Sequence, residues 1–189
     1  MKICTIVYTD IMPHIHTEPG HYDQTVTAYI VRTDLPEPQV LVHMHRKLNK
    51  LLPVGGHVEL NETPWQAIAH ELQEESGYTL NDLQILQPAH RISNFKDVTF
   101  HPYPVAMNTH AITPDHFHSD IDYAFVANAL PDVSVAEGES TDLRWLTKEE
   151  LGHIDSSLIF DNTKDVYNFI LDSALTNWDA VPAVEFSLN

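Results

Sequence analysis

The chain has 189 residues, 43% of them hydrophobic, which is enough for one core of ordinary domain size. A formal charge of −17 leaves no basic footprint for a nucleic-acid duplex or an anionic membrane, both of which are bound through clustered Lys and Arg. The single Cys4 excludes an internal disulfide, no apolar run is long enough to span a bilayer, and Met1 to Asp10 is too short an apolar stretch for a signal peptide, so a cytoplasmic protein is expected.

Lys2 to Tyr8 has the β-branched content of a strand, and Pro13, Pro19 and Gly20 then mark an irregular connection holding His14, His16 and His21. No Cys or carboxylate stands beside these histidines at zinc-type spacing, so they are not read as a metal site. Thr25 to Arg32 and Val40 to His45 predict two strands of a hairpin around a turn at Asp34 to Pro38. Arg46, Lys47 and Lys50 follow, three basic residues within five positions. A solvated turn explains them, and so does a patch that binds substrate phosphates by charge and hydrogen bonding.

Between Leu51 and Tyr78 the local signals are dense. Thr63 suits an N-cap, Pro64 the first helical position, and Gln66 completes a capping box. Trp65, Ile68, Ala69 and Leu72 form one apolar stripe, and Gly77 is placed to end the helix in a left-handed cap. Glu71, Glu74 and Glu75 stand at i, i+3 and i+4, so their carboxylates converge away from that stripe. Like charges at this density repel unless a cation neutralises them, and hard oxygen donors suit Mg²⁺ or Mn²⁺. A solvated acidic face is the alternative reading of the three glutamates alone.

Gly56, Glu62 and the run His70-Glu71-Leu72-Gln73-Glu74-Glu75-Ser76-Gly77-Tyr78 resemble the Nudix box, G-x5-E-x7-R-E-U-x-E-E-x-G-U, with U a bulky aliphatic residue. The match departs at His70, where the family has Arg, and at Tyr78, where an aliphatic residue is usual. Pro53 to Glu59 also looks like the family's lead-in, and a looser likeness extends over residues 25 to 152. The resemblance implies an α/β (α+β) fold, an α/β/α sandwich around a mixed sheet. It places the Nudix domain at 25–160, after a strand-and-loop extension at 1–24 and before a C-terminal helix and tail at 161–189 packed on the same domain.

After the box, Leu83 to Ile92 predicts a strand and Asn94 to Asp97 a turn. Pro102, Pro104 and Pro114 break up the chain through Phe117, which is expected to be irregular and substrate-facing. His118, Asp120 and Asp122 alternate with Ser119, Ile121 and Tyr123 in a strand running to Ala129, so the polar set shares one face. His116 and His118 there fit either substrate contact or a half-exposed strand. Pro131 to Ser140 predicts a loop, Thr141 to Leu146 a strand in which Trp145 is core, and Thr147 the start of a short helix. A helix from Thr163 to about Trp178 is expected to pack on the domain, with a loosely held tail from Asp179 to Asn189.

The resemblance further implies hydrolysis of a phosphoanhydride bond in a nucleoside diphosphate linked to another moiety, with Mg²⁺ or Mn²⁺ as cofactor. Its correspondence makes Glu71, Glu74, Glu75 and the Gly55 carbonyl metal ligands, with Glu71, Glu74 or the loop acid Glu139 taking the proton from water. Glu62 is assigned to holding the loop against the helix, and His70 to orienting a neighbouring glutamate, with a charge that depends on pH. A Nudix-fold module that binds a nucleotide without cleaving it is the alternative. The isomerase branch of the fold needs a reactive core cysteine, and Cys4 lies outside the aligned region. The proline about fifteen residues past the box that marks ADP-ribose hydrolases is not evident, and Phe95, near a tyrosine of dinucleoside polyphosphate hydrolases, does not assign a substrate. The expected partner is a small nucleotide or diphosphate, with homodimerisation left open.

Overall fold

The computed structural model describes residues 15–16, 18–92 and 96–188. The strand expected at 2–8, Cys4, His14 and the Asn94 and Phe95 part of one expected turn lie outside the described residues.

Two long parallel strands form the centre of a nine-stranded mixed sheet. β1 (His21–Arg32) pairs with β7 (His116–Ala127) along its whole length, from His21 opposite His116 to Arg32 opposite Ala127. On its other edge β1 takes two partners in succession: β4 (Val54–His57) at residues 25–28, then β2 (Gln39–His45) at residues 31–32. β2 in turn pairs with β3 (Lys50–Leu52) and β8 (Leu143–Thr147). β7 likewise splits its free edge between β6 (Ala106–Thr113) and β5 (Leu83–Gln87). Splitting both edges splays the sheet, and β4 delivers the glycine pair to the point where β1 changes partner.

Alternation along β1 divides the core. Val26, Ala28 and Ile30 pack with Trp65, Ile68 and Leu72 of α1 (Pro64–Glu71) and its continuation, whereas Tyr29 and Val31 pack with Tyr167 and Ile170 on the opposite face. Both of those residues belong to the C-terminal helix, α3 (Asp161–Phe169), prolonged by a π-helical turn (Ile170–Ala174) and a last turn at Leu175–Asn177. A short α2 (Lys148–His153) carries its own capping box, from Thr147 and Glu150. Helices on both faces of a mixed sheet are the expected α/β/α sandwich, and burial on both faces explains why β1 reads as an unbroken apolar run after Thr27. No helix among the described residues is long and apolar enough to cross a membrane.

Five expectations change. The segment before Phe117 is not irregular throughout: β6 and β7 form an antiparallel hairpin turning at Pro114 and Asp115, and the proline sits in the turn where its missing N–H costs nothing. β5 stops at Gln87 rather than Ile92 because Pro88 cannot donate to a ladder. The buried Gln87 amide replaces the next rung, accepting from Tyr103 N at 2.9 Å and donating to Tyr103 O at 3.0 Å. The tail is not loose. Its β9 (Asp179–Pro182) covers the edge of β5, Ala183 is fully buried, and Phe186 O accepts the Trp65 indole N–H at 3.1 Å.

β1 also begins four residues before the expected Thr25, since its polar start is paired with an equally polar start of β7. The polar face of β7 is likewise not half-exposed: His116, His118, Asp120 and Asp122 are all buried. Asp120 accepts hydrogen bonds from Thr25 and Thr27 at 3.0 and 2.8 Å, which satisfies a buried carboxylate within the sheet face itself.

Candidate active site

The loop between β4 and α1 is closed by side chains the sequence placed there. Thr63 and Gln66 form the capping box, and Glu62 spans the loop, accepting Glu59 N at 2.8 Å while its other oxygen lies 3.0 Å from His70 Nδ1. The second ring nitrogen of His70 is 3.4 Å from Glu71 Oε1. His70 therefore links the loop brace to the first glutamate of the cluster, from the position where the family has Arg.

At Leu72 the helix widens into a π-helical turn (Leu72–Ser76), a geometry that often accompanies functional sites, and ends at Gly77 in the left-handed conformation, φ 76°. Within this turn Glu74 stays exposed, while Glu71 and Glu75 turn inward against the glycine pair. Gly55 N donates to Glu75 Oε2 at 3.0 Å. A Cβ on Gly56 would lie 2.0 Å from Glu71 Oε1, and one on Gly55 would lie 2.2 Å from Val26 O. Gly55 is thus required by its close approach to the β1 backbone, and any side chain at Gly56 would displace the Glu71 carboxylate.

Burial dominates the electrostatics. It pushes the Glu75 carboxyl up to about 8 against the Gly55 N–H that lowers it, with Glu71, Glu139 and Glu74 adding repulsion. It pushes Glu71 up to about 7, opposed by His70 and reinforced by Glu74 and Glu139. His43, which the sequence reading passed over, stands 3.6 Å from Glu75 Oε2. Burial, and then His45, lower its ring to about 4, so it is neutral at pH 7 and supplies no counter-charge. Its position two residues beyond the core residue Leu41, on the same face of β2, was the available signal. Carboxylates gathered this closely on the Gly55–Gly56 backbone, with no Lys or Arg among the described residues paired to Glu71 or Glu75, are a donor set that a hard divalent ion fits.

The loop at 131–140 crosses the end of the helix. Ala136 N donates to Glu74 O at 2.7 Å, and a Cβ on Gly77 would strike Val133 O at 2.0 Å. Arg46 pins the loop from the far side through Gly138 O at 2.6 Å. That clamp holds Glu139 where its charge reaches both Glu71 and Glu75. The three basic residues diverge: Arg46 is committed to the loop, Lys47 is exposed, and the Lys50 amine turns to Ser157 O at 2.9 Å and the Phe160 ring. Tyr78, the second departure from the box, is buried edge-on to Trp145 and donates its hydroxyl to Ala129 O at 2.6 Å.

The model of the NUDIX domain matches residues 21–169 of this chain. Comparison with curated protein sequences gives no match. Among solved structures, a NUDIX-family hydrolase from Clostridium perfringens is 28% identical, covers 79% of this chain and 96% of its own, and superposes with a TM-score of 0.63. An Ap4A hydrolase from C. elegans shares the fold at 18% identity, with 78% of this chain and 95% of its own covered and a TM-score of 0.55. So does the E. coli dihydroneopterin triphosphate pyrophosphohydrolase, at 15% identity, 80% and 99% coverage and a TM-score of 0.56. With the family model spanning both central strands, the box and all of α3, the chain belongs to the Nudix family and is a Nudix hydrolase.

Proposed function

We propose that this protein hydrolyses a phosphoanhydride bond in a nucleoside diphosphate linked to another moiety, in a reaction that depends on Mg²⁺ or Mn²⁺. The observation that carries this reading is the seating of Glu71 and Glu75 against Gly56 and Gly55, with both carboxyls raised by burial and mutual repulsion. A fold that keeps such a cluster at a cost in charge repulsion is one whose working state includes cations. Glu71, Glu74, Glu75 and the Gly55 carbonyl would hold them. When bound, these ions supply the positive charge that offsets the diphosphate and acidifies water.

The chain's own residues do the rest. Water attacks one phosphorus, the bridging P–O bond breaks, the leaving phosphate keeps the electron pair, and a carboxylate takes the water proton. Glu71, Glu74 and Glu139 are the candidates for that base. Glu71 is oriented by His70, and Glu139 is carried by the loop that Arg46 fastens. Lys47 lies on the exposed turn before the box, where it meets the outer phosphates of an approaching substrate, and Arg46 joins it with the guanidinium N–H groups not bonded to Gly138 O. Lys50 contributes there only if its bond to Ser157 opens.

Nucleoside triphosphates, nucleotide sugars, ADP-ribose, dinucleoside polyphosphates and CoA, each with Mg²⁺ and with Mn²⁺, are the substrates to test, with products identified. Metal-dependent release of a nucleoside monophosphate or phosphate is expected, together with a loss of at least about 100-fold in Glu75→Gln, the upper range for groups that merely support a ligand. Tight binding with no product from any substrate would identify a sensing module instead.

A further inference from the structure

A second set of metal-favouring side chains lies buried at the start of the parallel strand pair, outside the carboxylate site. The register sets Asp23 opposite His118, with His116 two residues earlier on β7, and β4 brings His57 opposite Thr25. Side chains two apart share a face, so all four project to the same side of the sheet. The ligand atoms of Asp23, His116 and His118 lie within 4.8 Å of one another, and these residues are 0%, 8% and 4% exposed. His116 Nε2 is 3.2 Å from Asp23 Oδ2, His57 Nε2 is 3.5 Å from the same oxygen, and His57 Nε2 meets His118 Nε2 at 3.2 Å.

Those separations are informative. Four ligands about 2.0–2.1 Å from a tetrahedral zinc ion are spaced by edges of about 3.3 Å. Three of the six edges already stand near that spacing: His116 to Asp23 and His57 to His118 at 3.2 Å, and His57 to Asp23 at 3.5 Å. The remaining Asp23 oxygen is fixed as a ligating carboxylate's usually is, by outer partners: it accepts His16 N at 2.7 Å and lies 2.9 Å from His16 Nδ1.

We propose that Asp23, His57, His116 and His118 form a second divalent-metal site, for an ion of the zinc class rather than Mg²⁺. Imidazole donors select borderline transition metals, whereas the glutamates of the box select hard ions. Three buried ligands and the part-buried His57 make four protein ligands, which leave no open position, so the site is structural. It fastens the segment at 15–16, β1, β4 and β7 to one another. Because His57 ends the strand that carries Gly55, it also stiffens the backbone under the carboxylate cluster.

The test uses the full chain with Glu71→Gln and Glu75→Gln, which removes the other site. After equilibration with Zn²⁺ or Co²⁺ and removal of free ion, elemental analysis should find about one ion per chain. The cobalt form should show the strong visible absorption of four-coordinate cobalt, and zinc should raise the melting temperature. Adding His118→Gln or His116→Gln should weaken zinc binding by at least about 100-fold and abolish the thermal shift, while His16→Ala should weaken it by about 10–100-fold. Absence of retained metal, a six-coordinate cobalt spectrum, or retention unaffected by His118→Gln would overturn the proposal and leave a hydrogen-bonded His–Asp network. The cobalt spectrum of the chain with its histidines intact decides the matter even if a histidine variant fails to fold.

Discussion

Glu71 fills the space that any side chain at Gly56 would need, with Oε1 only 2.0 Å from the site of a Cβ. The obstacle is the far end of a flexible side chain, so Gly56→Ala should fold, at a stability cost on the order of 1 kcal/mol, by swinging the carboxylate away. Mn²⁺ binding and turnover should fall together by at least about 10-fold, while the urea midpoint moves little. A variant that kept full Mn²⁺ affinity would show that Glu71 is not needed at that position.

His70 joins Glu62 to Glu71, one ring nitrogen toward each carboxylate, and an imidazole carries charge only when protonated. Arginine keeps its charge and a planar fork at every working pH. His70→Arg should therefore raise kcat relative to wild type increasingly from pH 6 to pH 9, with KM little changed. Parallel pH–rate profiles would remove His70 from the positioning of Glu71.

Asp122 offers a pH test away from both candidate metal sites. Burial, and then the Asp120 carboxylate beside it, push its carboxyl up to about 8. A carboxyl raised in the folded state is neutral there while the unfolded chain has already ionised. The native state thus binds more protons between about pH 4 and pH 8, and stability falls as pH rises through that window. Asp122→Asn should flatten this slope and raise stability at pH 8, by about 1.4 kcal/mol for each pH unit of the shift removed. Urea titrations at several pH values check it, and an unchanged slope would place the proton elsewhere.

Removal of the chain from Asp179 onward should destabilise the domain by several kcal/mol, comparable to truncating a large core side chain at about 3–5 kcal/mol. The deletion strips β9 from β5, uncovers the buried side of Trp65 and leaves its indole N–H without Phe186 O. It should also promote association through the opened edge. Phe186→Ala, which keeps β9, should lose only part of that stability. A truncated chain with the wild-type melting temperature would contradict this account of the tail.

The box and its helix were legible in the sequence because their determinants are local. Thr63, Gln66 and Gly77 act on backbone groups a few residues away, and the spacing of Glu71, Glu74 and Glu75 follows from helical winding alone. The strands β1 and β2 were legible within a few residues for the same reason. Tertiary structure alone decided what depends on distant chain. His43 reaches Glu75 from another strand, Arg46 fixes Glu139 through a loop about ninety residues on, and the tail becomes a strand only because β5 offers an edge. The histidines show the limit most clearly. Spacing argued against a metal site among the N-terminal ones, yet parallel pairing of β1 with β7 sets Asp23 against His118, a juxtaposition that no periodicity within either segment encodes.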